Sequence, residues 1–204
     1  MNVLRLAVLT SLIGLAAPAA ALDARIETML DGYKAGKLLP IEDVAELMRS
    51  SERWCYNEET GICDWSDIYL EVDSDGATFE LVDMWTQDIE ITLTEKGVFR
   101  DGRFICETGE EYTQSLRAYD TARNGYLTGR ELYALKTEIA AAYATSEASE
   151  PPCFDYLFES IVPADETVTI TQRIWRGGET DPAEDALVTL HFDRDSAEAL
   201  TVRW

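Results

Sequence analysis

The chain contains a single histidine, His191, and only 17 basic residues against 39 acidic ones in 204 residues. One imidazole leaves no material for a multi-histidine metal centre and little for Ser-His-Asp or Cys-His catalysis. The scarcity of Lys and Arg removes the basic footprint that displaces counterions from a phosphate backbone, so nucleic acid is excluded as a partner. No Cys-x-x-Cys pair stands near the histidine, which argues against zinc. Gly-x-Ser-x-Gly and a Gly-rich phosphate loop are both missing. No later segment has the run of about 20 apolar residues that spans a bilayer as a helix.

The first 21 residues read as an export leader. Met1 to Arg5 carry one positive charge, Leu6 to Leu15 form a short apolar core, and Pro18 precedes Ala19-Ala20-Ala21. Small residues in that place suit a signal peptidase, with Leu22 as the new N-terminus. The expectation is a periplasmic or secreted protein with no membrane insertion after cleavage. Residues 22–204 are expected to form one domain. The hydrophobic fraction of 46% favours a packed core over disorder.

The net charge is −22 and becomes more negative when Arg5 leaves with the leader. Such a charge keeps an exported protein dispersed, and it points to cationic partners: metal ions, or a basic protein or peptide. Four cysteines, Cys55, Cys63, Cys106 and Cys153, read as two disulfides in an oxidising compartment. Three pairings are open. The turn-rich span between Cys55 and Cys63 favours that pair, which leaves Cys106 with Cys153.

Periodicity predicts an α+β fold with short N-terminal helices, an antiparallel meander, a central helix-loop-helix and a second strand group. Ile26, Met29, Leu30 and Tyr33 recur at helical spacing up to Gly36. Pro40 opens a second helix with Ile41, Val44, Leu47 and Met48 on one face. From Trp65 to Cys106 the period is two. There Ile68, Leu70 and Val72 alternate with Tyr69, Glu71 and Asp73, and Ile89, Ile91 and Leu93 with Glu90, Thr92 and Thr94. Ser74-Asp75-Gly76, Lys96-Gly97 and Asp101-Gly102 read as turns. Helical pattern resumes from Glu110 to Ala144 with a break at 120–128, and a polar linker covers 145–152. Strands around Val168 to Ile174, Val188 to Phe192 and Thr201 to Trp204 complete the second group, with 177–184 as a loop. His191 falls on the phase opposite Val188, Leu190 and Phe192 and is expected to face solvent. The run Glu107 to Glu111 reads as a solvated helix start. Trp54, Tyr56, Trp65 and Tyr69 are expected to pack around the Cys55–Cys63 bridge.

One segment carries recognisable chemistry. Asp120-Thr121-Ala122-Arg123-Asn124-Gly125-Tyr126-Leu127-Thr128-Gly129-Arg130-Glu131 follows a stretch with Leu116 and Tyr119 and precedes Leu132 and Leu135. Over residues 112–135 this resembles an EF-hand. The resemblance implies a calcium loop in which Asp120 stands first, Asn124 fifth, Gly125 at the turn, Tyr126 as a carbonyl donor, Thr128 holding a water and Glu131 as the closing bidentate carboxylate. The third position is Ala122, which offers no oxygen, Arg123 adds a positive charge, and no second loop of the kind accompanies it. The resemblance therefore implies weak structural binding of calcium, with Kd on the order of 10⁻⁴–10⁻³ M. The alternative is an acidic interaction or inhibitor protein that binds a cationic partner with this loop empty. No set of residues nominates itself as catalytic, so the reading is non-enzymatic.

Overall fold

The computed structural model describes residues 22–109, 112–146 and 151–204. The expected leader, Glu110 and Glu111, and part of the expected linker lie outside the described residues. In chain order the helices are α1 (Ala24–Leu30), α2 (Ile41–Ser50), α3 (Gly129–Ser146) and α4 (Arg194–Ala199). The first strands are β1 (Lys37–Leu38), β2 (Arg53–Tyr56), β3 (Ile62–Cys63), β4 (Ser66–Val72), β5 (Gly76–Thr86), β6 (Ile89–Arg100) and β7 (Phe104–Glu107). They are followed by β8 (Arg117–Asp120), β9 (Gly125–Tyr126), β10 (Cys153–Val162), β11 (Thr167–Arg176), β12 (Glu179–Thr180), β13 (Ala186–His191) and β14 (Thr201–Val202).

This corrects the α+β expectation. The protein is mostly antiparallel strand, and twelve of the strands among the described residues belong to one sheet. Strands β2, β4, β5, β6, β7, β10, β11 and β13 pair with their neighbours in that order, and β13 pairs back to β2. The path closes into an antiparallel, up-and-down barrel of eight strands. The two strand groups expected from sequence are two arcs of this one ring. Strands β10 and β2, which the periodicity reading passed over, join them at the two ends.

Closure rests on a short seam. β7 pairs with β6 over four positions but with β10 over two, Cys153 opposite Cys106 and Phe154 opposite Ile105. Beyond those pairs, β1 covers the rest of that edge of β10, and β8 covers the far end of β6. Gly97 on β6 makes the fit at the seam possible. A Cβ there would lie 2.4 Å from the Ile105 side chain.

The inside of the ring is filled differently at its two ends. Trp54, Phe158, Val168, Ile170, Val188 and Leu190 point inward and form one cluster with Ile26, Leu30, Val44, Leu47 and Met48 from α1 and α2. The two helices thus stopper that end. Pro40 occupies the N-cap of α2, where its missing N–H breaks no helical bond. The long β5–β6 hairpin extends past the ring at the other end. Its inward face there, including Ile91 and Leu93, is covered by Leu116, Ala118, Leu135 and Ile139.

The expected central helix-loop-helix is also corrected. Tyr112–Gln114 is a single 3-10 turn, and Arg117–Asp120 is a strand on the edge of β6. Leu116, Ala118 and Asp120 are buried while Arg117 is exposed and Tyr119 half-buried, so burial there has period two. Only the outgoing element, α3, is helical.

Both bridges are present as Cys55–Cys63 and Cys106–Cys153. The first lies on the outside of the ring against Leu200 and Val202, where β3 pairs with β14. The expected packing of the nearby aromatics around it is not what occurs. Trp54 and Tyr56 alternate with Cys55 and so point the opposite way, into the barrel.

Candidate functional site

The barrel is not full. Above the apolar plug lies a cavity of about 230 Å³. Its wall repeats in steps of two: Trp65, Asp67 and Tyr69 on β4 and its lead-in, Phe79 and Leu81 on β5, and Glu95 and Gly97 on β6. Ile105 and Glu107 on β7, Phe154 and Tyr156 on β10, and Gln172, Ile174 and Arg176 on β11 continue it. This is the alternation that puts every second strand residue on the inner face of a barrel. At roughly 20–30 Å³ per non-hydrogen atom, the space suits a molecule of about eight to eleven such atoms.

Three carboxyl groups from three strands converge on this space. Asp67 is the deepest, with 5% of its surface exposed. The Tyr56 hydroxyl donates to its Oδ2 at 2.7 Å. Its Oδ1 is buried with no hydrogen-bond partner. Burial raises the Asp67 carboxyl to about 7, although the Tyr56 hydrogen bond opposes the rise and the Glu107 charge adds to it. Glu95 is half-buried and raised to about 8, first by burial and then by the charges of Glu107 and Asp67. Glu107 is raised by burial and partly drawn back by Arg176. Arg176 is the basic side chain that lines the cavity among the described residues. It is half-exposed at the rim and ion-paired to Glu184.

The remaining polar groups form one network. Gln172 Nε2 donates to the Tyr156 hydroxyl at 3.2 Å and lies 3.4 Å from that of Tyr56. Burial raises the hydroxyls of Tyr56, Tyr69 and Tyr156, so all three remain protonated donors. The Tyr56 ring stacks on Trp65 with centroids 4.5 Å apart, and Trp54 meets Tyr69 edge-on at 5.0 Å. Such a set can hold a cation, donate hydrogen bonds from protonated carboxyls, or move a proton near neutral pH.

The residues expected to bind calcium lie elsewhere, between β8 and α3. Asp120 and Glu131 do come together, but around a side chain of the loop itself. Arg123 Nε lies 2.5 Å from Asp120 Oδ2, its backbone N–H donates to Asp120 Oδ1 at 2.7 Å, and its Nη1 lies 3.1 Å from Glu131 Oε1. The arginine holds the Asp120 carboxyl below its usual value. Asn124, with φ of 53°, has its side-chain oxygen taken by the Tyr119 hydroxyl. Tyr126 and Thr128 are exposed. At the turn the left-handed residue is Asn124 rather than Gly125, and Gly129 is left-handed too, at the start of α3.

His191 is buried rather than solvent-facing. Its Nε2 lies 2.8 Å from Glu58 Oε2, so the loop after β2 covers the outer face at this point. Glu107, expected in a solvated helix start, is on β7 and faces the cavity.

Sequence reasoning did not nominate Asp67, Glu95 or Glu107. A signal was present. Each is an acid on the apolar phase of a strand: Asp67 between Trp65 and Tyr69, Glu95 after Ile91 and Leu93, and Glu107 after Ile105. No family model, curated protein or solved structure matches the chain.

Proposed function

We propose that this protein is an exported, non-catalytic binding protein that holds a small organic molecule inside its barrel. The observation that carries the reading is the half-empty interior. One end is packed solid by α1 and α2, while the other keeps about 230 Å³ walled by aromatic and aliphatic side chains with a few convergent polar groups. A barrel closed only to be stable has no need of that space, since interiors ordinarily pack to the density of organic crystals. The two disulfides support an oxidising compartment.

The test is calorimetric titration with 2-naphthol, an uncharged bicyclic aromatic matched to the space. Saturable binding with Kd of roughly 10–100 µM is expected for a molecule of this size. Ile174→Trp, which fills the chamber, should abolish it while the melting transition is retained. Absence of saturable heat with the unaltered protein, for 2-naphthol and for charged ligands of similar size alike, would remove the reading.

Calcium bracing of the Asp120–Glu131 loop is the second reading, supported by the convergence of those two carboxylates. Here Arg123 stands as an internal counter-ion that a metal must displace. Arg123→Ala is therefore expected to create a larger response than the unaltered chain. With Kd near 1 mM, 10 mM calcium would stabilise the variant by about 1.4 kcal/mol over EDTA. Thermal melts with magnesium as the control read this out. Equal shifts with both ions would reject the loop as a calcium site.

A further inference from the structure

Resting on the reading of the chamber as a binding site, we infer that its ligand is a small organic ammonium: a protonated amine on an aromatic or aliphatic body. Three features single out that class. First, the ionisable carboxyls outnumber the basic groups of the lining three to one among the described residues. Asp67, Glu95 and Glu107 enter from three different strands, and the one basic group among the described lining residues, Arg176, is already held at the rim by Glu184. Second, Asp67 is a buried acid with a spare acceptor. Its Oδ1 has no partner, whereas Oδ2 is satisfied by Tyr56. A buried unpaired acceptor is costly, and an N–H donor brought by a ligand would fill it. Third, Trp65, Phe79 and Phe154 supply ring faces and edges for an apolar body and for a cation beside it.

The alternatives fit less well. A carboxylate or phosphate ligand would face three acids across a low-dielectric space. A neutral apolar ligand would leave Asp67 Oδ1 unpaired and gain nothing from Glu95 or Glu107. A metal ion needs several ligands at short range, and no cluster of three acids, cysteines or histidines close enough to hold one occurs among the described residues.

Binding must also move protons. In the empty chamber burial leaves Asp67 and Glu95 holding protons to near neutrality, at about 7 and about 8. An ammonium favours their charged forms, so its arrival releases a proton to solvent. The other groups that face them are the hydroxyls of Tyr56, Tyr69 and Tyr156, Glu107 and Arg176. The tyrosines stay protonated throughout, which leaves the carboxyls as the source.

The experiment compares three ligands of one shape in calorimetric titrations of the oxidised protein: phenethylamine, phenethyl alcohol and phenylacetate. The expected order is amine over alcohol by about 30-fold, with phenylacetate too weak to measure, and the amine's affinity rising from pH 6 to pH 8. Titration of the amine in two buffers of different ionisation heat should show proton release. In Glu95→Gln/Glu107→Gln the amine's advantage over the alcohol should shrink to a few-fold, with the melting transition confirming the fold. If the alcohol binds as tightly as the amine, the chamber remains a binding site and the ammonium assignment is overturned. If 2-naphthol binds and phenethylamine does not, the assignment fails in the same way. If none of these molecules binds, the chamber reading itself falls and takes the assignment with it.

Discussion

Removing the Cys106–Cys153 bridge, as Cys106→Ala/Cys153→Ala, is expected to lower stability by about 4 kcal/mol, mainly by releasing the unfolded chain from a long closed loop. The two cysteines are 47 residues apart. The Cys55–Cys63 pair spans 8 residues, and the same chain-entropy argument gives between about 2 and 3 kcal/mol for its removal. The contrast in structure should exceed the contrast in energy. Cys106 and Cys153 face each other in the two-residue pairing that closes the ring between β7 and β10. Ile105 and Glu107 flank one cysteine and Phe154 follows the other, and all three line the cavity. Without the bridge, amides of Phe104–Glu107 should exchange with solvent well before those of β11 and β13. Ligand binding should weaken in step. Cys55→Ala/Cys63→Ala should instead loosen β3 and β14 and leave the chamber intact. Denaturant unfolding with amide exchange on both variants decides the matter. Equal exchange at the seam in the two variants would show that backbone pairing alone closes the barrel.

The elements that could be read from the sequence are those whose neighbours are local. α2 announces itself through Pro40 and an apolar stripe at helical spacing, and the structure keeps Ile41, Val44, Leu47 and Met48 of that stripe buried. The turns at Ser74–Gly76 and Asp101–Gly102 depend only on their own residues and stand where expected, whereas Lys96-Gly97, also read as a turn, runs through the middle of β6. Ring closure depends on residues 47 apart and leaves no local mark. The strand phase on β4 misled for a clearer reason. Ile68 and Leu70 look like the buried face of a meander, yet Leu70 is half-exposed and the inward residues are Asp67 and Tyr69. A rule that sends apolar residues inward inverts any strand whose inner face carries a polar site. The stretch before Asp120 misled through its resemblance to a helix leading into a calcium loop. Its period-two burial, Leu116, Ala118 and Asp120, was equally available and belongs to the edge of β6. Glu95 and Glu107 continue the apolar phase of Leu93 and Ile105 and were open to view, whereas on β4 the rival apolar phase of Ile68 and Leu70 masked Asp67.

The buried acid responsible for that inversion should also set how stability varies with pH. Asp67 titrates at its ordinary value near 3.8 in the unfolded chain and at about 7 in the barrel, because burial penalises the carboxylate. The native state thus binds the proton more tightly than the unfolded state between these values. Stability from this group is fully present below pH 4, falls as pH rises, and is lost once pH passes 7. The full span corresponds to a little over 4 kcal/mol, at about 1.36 kcal/mol per pH unit. Asp67→Asn keeps the shape and an acceptor for Tyr56 while removing the titration. Relative to the unaltered chain it should be near neutral at pH 4.5 and stabilising by about 3 kcal/mol at pH 8. Tyr56→Phe provides the opposite arm. It takes away the hydrogen bond that favours the Asp67 carboxylate. The native proton is then held to higher pH, and the loss of stability extends further toward alkaline conditions. Differences between variant and parent at each pH report Asp67 together with the part of the Glu95 shift that the Asp67 charge causes, while carboxyls remote from the chamber cancel. Urea unfolding at half-unit pH steps measures all three curves. Parallel curves for parent and Asp67→Asn would mean that the chamber admits enough water to leave Asp67 charged, and would weaken the case for a desolvated site that an ammonium could fill.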